Sequence, residues 1–318
     1  MSGILISGCR GLIGGALSEA LRAAGRASTG IDLRGSAQTS DHGDIRDAEL
    51  LARRLAGCEG VVHLAAISRV VFGQRAPALC WETNVTATQR LLDAALAAPR
   101  RAWVLFASSR EVYGEPEQLP VDEDTPFCPI NIYGRSKAEG ERLTLAAREA
   151  GLTTAIVRCS NVYGRTGDHP DRVVPAFARA AAIGGSLRVC GGDTLLDFTH
   201  VDDVVRGVMA VIEQLAANMR TLLPVHFVSG RGTRLEELAA LARTAGGGRA
   251  RVLEAPSRTY DVAHFVGDPS RARALLGWQA QIDLAEGVAR LVRDFVSDAG
   301  LVDTPAAAEA LQKSSSHA

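Results

Sequence analysis

Tyr133 and Lys137, four residues apart in YGRSK, are the side chains whose types and spacing point most directly to chemistry. On a helix that spacing puts both on one face. A free phenol titrates near pH 10 and is a poor base at neutral pH, and an ammonium beside it favours the phenolate and lowers that value. Such a pair can take a proton from a hydroxyl or return one. Composition sharpens the reading, because the chain has 33 arginines and only two lysines, Lys137 and Lys313. Arginine's bulkier fork has a different reach and does not replace an ammonium at such a place.

A second constellation opens the chain. ILISGCRGLIGGAL is an apolar run followed by Gly8, Gly11 and Gly14, then an amphipathic stretch that includes Leu12 and Ile13. Glycines there permit a tight turn and close approach of backbone to a pyrophosphate, and the N-terminus of the following helix offers free N–H groups and partial positive charge. Arg10 stands where a strict GxGxxG has its second glycine, so the spacing is GxxGxxG. Asp32 ends the next apolar run, 18 residues after Gly14. A carboxylate there accepts from the ribose hydroxyls and repels a 2′-phosphate, which favours NAD over NADP. Arg34, two residues on, is the feature that would suit NADP instead.

These residues need elements to hold them. Strand-like runs at 3–7, 28–32, 60–65, 103–107, 154–158 and 225–228 alternate with helical stretches at 13–24, 48–55, 83–97, 133–150 and 203–216. That alternation predicts an α/β fold with a doubly wound parallel sheet, whose ligands sit beyond the carboxyl ends of the strands. After about residue 165 the alternation loosens. Residues 1–165, completed by about 198–229, are expected to form the dinucleotide domain, with 166–197 and 230–295 as a smaller interleaved C-terminal substrate domain. The tail 303–318 is expected to be poorly ordered.

Composition excludes other classes. The net charge of −1, without a basic block, argues against a nucleic-acid partner. Six cysteines without a CxxC pair and seven histidines without HxxxH or HExxH spacing give no metal site. No apolar run reaches the ~18 residues of a membrane span. Because strand and turn begin at Gly3, no leader is expected, and the reading is a cytoplasmic protein with reduced cysteines.

Taken together these features resemble the extended short-chain dehydrogenase/reductase family, in its NAD-dependent epimerase/dehydratase branch. The resemblance rests on GxxGxxG, Asp32, DIR at 44–46, HLAA at 63–66, TNV at 83–85, SSREVYG at 108–114, YGRSK at 133–137, RCSNVYG at 158–164, DFTHVDD at 197–203 and LLGW at 275–278, in the family's order. It implies a Rossmann-type fold with NAD as cofactor. Asp44 and Ile45 resemble an adenine-binding pair, and Leu64, Ala65 and Ala66 a segment under the nicotinamide half. Asn84 resembles a supporting residue of the active site. Helices 83–97 and 133–150 resemble those that pair into a four-helix homodimer interface.

The substrate implied is a nucleotide-diphosphate sugar. Tyr133 is then the acid–base, Lys137 also holds the nicotinamide ribose, and Ser108 and Ser109 lie at the reacting hydroxyl. Glu111 resembles the glutamate that moves ring protons in dehydrating and decarboxylating relatives, or it is held only by hydrogen bonds. Arg110 stands where the dehydratases usually have aspartate. Asn161, Arg188 and Arg258 resemble diphosphate contacts, and Val174 and Pro175 a segment beside the base. Leu196 stands where the family often has a phosphate-binding arginine. The favoured activity is 4-epimerisation through a 4-keto intermediate. The alternatives are a dehydratase, decarboxylase or 4-keto reductase and, in another class, a non-catalytic NAD(P)-sensing protein.

Overall fold

Elements alternate along the chain as their apolar spacing predicts, and a computed structural model describes residues 3–36, 38–99, 101–219, 222–257 and 260–299. The N-terminal half runs β1 (Gly3–Ser7), α1 (Leu12–Ala23), β2 (Ser28–Ile31), α2 (Ala48–Leu55), β3 (Cys58–His63), α3 (Val70–Arg75), α4 (Pro77–Trp81), a π turn (Glu82–Thr86), α5 (Ala87–Ala97), β4 (Trp103–Ser109), a 3₁₀ turn (Arg110–Val112), α6 (Ile132–Glu149) and β5 (Thr154–Cys159). The remainder runs β6 (Asn161–Tyr163), α7 (Val173–Ile183), β7 (Ser186–Cys190), β8 (Leu195–His200), α8 (Val201–Ala216), β9 (Val225–Phe227), β10 (Gly232–Arg234), α9 (Leu235–Ala245), β11 (Arg251–Ala255), β12 (His264–Phe265), α10 (Ser270–Leu276) and α11 (Leu284–Asp298).

Six strands form one sheet in the order β2-β1-β3-β4-β5-β9, every pair parallel. The strand order reverses between β1 and β3, the place where such sheets open a ligand crevice. Both faces are covered, so successive residues of one strand enter different cores. Ile4, Ile6, Val62 and Leu105 pack with α1 and α8, while Leu5, Val61 and Val104 pack with α2, α5 and α6. Beyond β2 a single parallel bridge, Asp32 to His42, extends the pairing. The intervening residues 33–41 are rich in polar residues and carry no β-branched apolar run to pair as a strand.

A second core packs α7, α9 and α11 against β7 and β8. There β8 pairs with β6, β10 and β12, and β11 pairs with β7. The reading of 83–97 as one α-helix needs correction. The α-helix begins at Ala87, and Glu82–Thr86 form a π turn that carries buried Asn84. The predicted tail 303–318 and Lys313 lie outside the described residues. Among the described residues no helix is long and apolar enough to cross a membrane.

Candidate active site

The carboxyl ends of β1, β3, β4 and β5 open into one cleft of about 420 Å³, within the usual size of a small-molecule site. Gly8, Gly11, Leu12, Ile13 and Gly14 form one wall. Gly8 has φ +75°, and a Cβ there would lie 2.8 Å from Ala65 N; a Cβ at Gly14 would lie 2.1 Å from Gly8 O. Only glycine lets this turn close on itself and on the β3 end. The helix that follows starts at Gly11 with no side-chain cap, so its first N–H groups are free for an anion. This cradle fits a dinucleotide pyrophosphate.

Asp32 sits at the end of β2 and is fixed by two backbone donors. Its Oδ2 accepts from Arg10 N–H and its Oδ1 from Arg34 N–H, both at 2.8 Å. Arg34 lines the cleft, with its Nε 3.5 Å from the Asp32 carboxylate. Its charge is thus partly matched within the protein. The Arg10 side chain turns away to Asp41, to which it donates from Nε at 2.7 Å and Nη2 at 2.9 Å. That pairing holds Asp41 well below the usual carboxylate range.

Ile45 reaches the cleft, as do Gly43 and Arg46. Asp44 is not among the lining residues. Arg46 clamps its carboxylate from Nε at 2.9 Å and Nη2 at 2.6 Å, and this contact lowers its pKa. Leu64, Ala65 and Ala66 line the floor. A buried relay sets that floor: Ser7 Oγ meets His63 Nδ1 at 2.6 Å and accepts Ala65 N–H at 3.2 Å, while His63 Nε2 meets Thr88 Oγ1 at 2.9 Å. Burial pushes the His63 pKa down to about 3, so the ring is neutral. Asn84, presented by the π turn, accepts Ile67 N–H at 2.8 Å and donates to Ser136 Oγ at 2.9 Å. It ties the cleft floor to α6, and a π turn inside a helix is a frequent device at such sites.

Tyr133 and Lys137 occupy the buried face of α6, and both line the cleft with Ser108 and Ser109. The helix lies close on β4 because Gly140 faces the Phe106 ring, where a Cβ would come within 2.4 Å. Tyr133 shares the cleft with Ser109, whose hydroxyl favours the ionised phenol. Lys137 Nζ donates to Ala107 O at 2.7 Å and lies 5.9 Å from the Tyr133 ring centroid. The expected lowering of the phenol by Lys137 needs correction. Burial pushes Tyr133 up to about 12, and the main influences opposing it are the Ser109 hydroxyl and the Arg172 charge. The ammonium is directed instead at a carbonyl, and burial brings Lys137 down from 10.5 to about 8.

That depression has a measurable sign. Between about pH 8 and 10.5 the unfolded chain holds the Lys137 proton while the folded chain does not, so this group adds stability as pH rises through that window. Below about pH 8 both states hold it, and the cost of a buried ammonium is felt in full. The denaturant midpoint of the wild type should therefore gain on that of Lys137→Met as pH rises from 8 towards 10. Parallel curves for the two proteins would contradict this.

Glu111 and Arg110 are buried but do not line the cleft. They pair with each other at 3.0 Å, and Glu111 Oε2 accepts from Asn131 Nδ2 at 2.7 Å. Asn131 caps α6 by accepting Gly134 N–H at 2.8 Å. Glu111 therefore supports the helix that carries Tyr133, through side chains.

The predicted substrate contacts are scattered. Asn161 donates to Asp197 O at 2.9 Å, and Val174 is buried in the second core. Arg188 is exposed on β7 and is not among the cleft residues. Arg258 lies outside the described residues. Leu196 is buried in the second core, which an apolar side chain suits.

Among the cleft residues missed from sequence, Asp168, His169 and Arg172 come from a single segment. The run DHPDR just after a strand end was their only signal. Asp168 Oδ2, Arg172 Nε and Ser108 Oγ are buried without hydrogen-bond partners among the described residues. Arg172 Nε also lies 3.6 Å from Asp168 Oδ1, and all three residues line the cleft, so polar groups with unmet hydrogen-bonding capacity gather at its edge.

The sequence pattern of the NAD dependent epimerase/dehydratase family matches residues 4–221. The chain is 35% identical over 257 residues to a dTDP-glucose 4,6-dehydratase of Streptomyces griseus, covering 79% of this chain and 76% of that protein. It is 31% identical over 309 residues to a UDP-glucose 4-epimerase of Mycolicibacterium smegmatis, covering 92% of this chain and 97% of that one. Among solved structures it is similar to MoeE5 in complex with UDP-glucose and NAD, with a TM-score of 0.85 and 30% identity over 94% of this chain and 100% of that one.

Proposed function

Since the chain belongs to the NAD-dependent epimerase/dehydratase family, we propose that this enzyme is a nucleotide-sugar 4-epimerase working through a 4-keto intermediate. The observation that carries the choice is the contrast between two sets of residues. Tyr133, Ser109 and Lys137 share the cleft with the glycine turn, whereas Glu111 is committed to Arg110 and Asn131. Epimerisation needs only the first set. Dehydration or decarboxylation by Glu111 would first have to break its ion pair.

Bound NAD supplies the chemistry of taking a hydride from the sugar carbon and giving it back. The glycine turn and the α1 N-terminus hold its pyrophosphate, Asp32 its adenosine ribose, Ile45 its adenine, and Lys137 its nicotinamide ribose. Asp32, fixed by two backbone N–H groups, favours NAD over NADP, and its contact with Arg34 takes up part of the charge that would suit a 2′-phosphate. Tyr133, whose phenolate is favoured by the positive charge of the oxidised nicotinamide held next to it, accepts in that form the proton of the sugar hydroxyl during oxidation and returns it during reduction, while Ser109 orients that hydroxyl. Asn84 and the Glu111–Asn131 contact fix the elements from which these groups project.

The same reading divides the chain into a dinucleotide domain, 1–165 with 198–229, and a substrate domain formed by 166–197 and 230–295. It places the protein in the cytoplasm as a homodimer through α5 and α6. Exposed Leu145 on α6, 39% accessible, and exposed Trp81 at the end of α4, just before the π turn that leads into α5, support that association.

Incubating the purified protein with a panel of UDP-, dTDP-, GDP- and CDP-sugars tests the activity. An isomeric product with no net reduced nicotinamide is the expected result. Loss of water or CO₂, or net consumption of reduced cofactor, would replace epimerisation with one of its alternatives.

A further inference from the structure

Residues 165–172, RTGDHPDR, connect β6 to α7. The segment starts after Gly164, whose φ of +133° and close approach to the His200 ring suit glycine alone. Its beginning is tied to the helix behind the glycine turn, where Arg165 Nη1 lies 2.7 Å from Glu19 Oε2 on α1. Its end is tied to the stretch after β3. Asp171 takes the Arg69 guanidinium, which also reaches Asp171 O at 3.1 Å, and Arg172 Nη2 donates to Ser68 Oγ at 3.1 Å. Midway, the His169 ring meets Phe72 edge-on at 6.5 Å. Between these ties Asp168, His169 and Arg172 line the same cleft as Gly11, Leu12 and Ile13.

We infer that residues 165–172 are a strap across the dinucleotide cleft, tied to α1 on one bank and to Ser68–Arg69–Phe72 on the other, and that release of the cofactor requires the Arg69–Asp171 tie to open. The inference rests on the proposed NAD-dependent function. It assigns to Asp171 and Arg69, neither of which lines the cleft, a positioning role that acts on cofactor exchange. Arg172 Nε lies 3.6 Å from Asp168 Oδ1, and neither it nor Asp168 Oδ2 has a hydrogen-bond partner among the described residues, so the strap keeps unused donor and acceptor capacity next to the cleft. A retained cofactor suits an enzyme that returns its hydride to the same sugar, because no exchange is needed between turnovers.

The test is the rate at which radiolabelled NAD, loaded on the purified protein, is displaced by excess unlabelled NAD. Asp171→Asn and Arg69→Gln are each expected to release it about fivefold faster, the factor expected for losing one partly exposed ion pair. The charge-swapped double variant, Arg69→Asp with Asp171→Arg, is expected to return most of the retention. Thermal melting without cofactor checks that each variant folds. Wild-type release rates in both folded single variants would overturn the strap while leaving the function untouched. A wild-type protein that takes up no NAD would overturn the function and the strap together.

Discussion

Replacing Tyr133 by phenylalanine is expected to lower turnover on a nucleotide sugar by about 10²–10⁴-fold, the usual contribution of a positioned acid–base group. The change removes one hydroxyl from a buried side chain and leaves the ring to pack. Lys137 keeps its bond to Ala107 O, and the glycine turn is not touched. Bound NAD and the melting temperature should therefore stay near their wild-type values while the rate collapses. Titration of the wild type should show why the residue needs its surroundings. Burial holds the phenol up to about 12, with Ser109 and Arg172 as the main groups favouring its ionised form. A variant that turns over at the wild-type rate would mean that another group moves the proton.

The second large effect is on stability. Arg158, at the end of β5, gives a two-pronged ion pair to Glu141 on α6, from Nε at 2.8 Å and Nη2 at 2.7 Å. Both side chains are almost fully buried. Arg158 Nη1 also donates to Tyr113 Oη and to Glu123 O, each at 2.7 Å, and Tyr113 Oη meets His226 Nε2 at 2.6 Å. Glu141 lies one turn beyond Lys137, so this network seats the catalytic helix on the sheet. Glu141→Ala leaves a guanidinium buried without its counter-charge, which costs about 3–5 kcal/mol. The melting midpoint should fall by about 4–8 °C. A fall within the error of the measurement would show that Arg158 finds other partners or water.

What could be read in advance was local. The strand, glycine turn and helix at 3–23 announce themselves by adjacent residue types, and Tyr133 with Lys137 by spacing within one turn. The alternation of apolar runs gave the parallel sheet because both its faces are buried, so whole strands are apolar. Local pattern has no access to which distant loop covers the cleft. Asp168, His169 and Arg172 arrive there because the segment between β6 and α7 returns to the cleft, a fact of topology. The same blindness left Glu111 open between moving protons and hydrogen bonding alone, because its neighbours Arg110 and Asn131 meet it from opposite sides in sequence. The π turn at Asn84 was equally hidden, because its residues keep a helical apolar spacing and differ only in hydrogen bonding.

The central claim is that the sugar carbon whose hydroxyl meets Tyr133 is oxidised by hydride loss and reduced again within one site. A nucleotide sugar carrying deuterium on carbon 4 tests it directly. The expected result is a primary isotope effect on turnover together with full retention of the label in the sugar product. Deuterium washed into water would show that a base had removed the hydrogen as a proton, and would contradict the account.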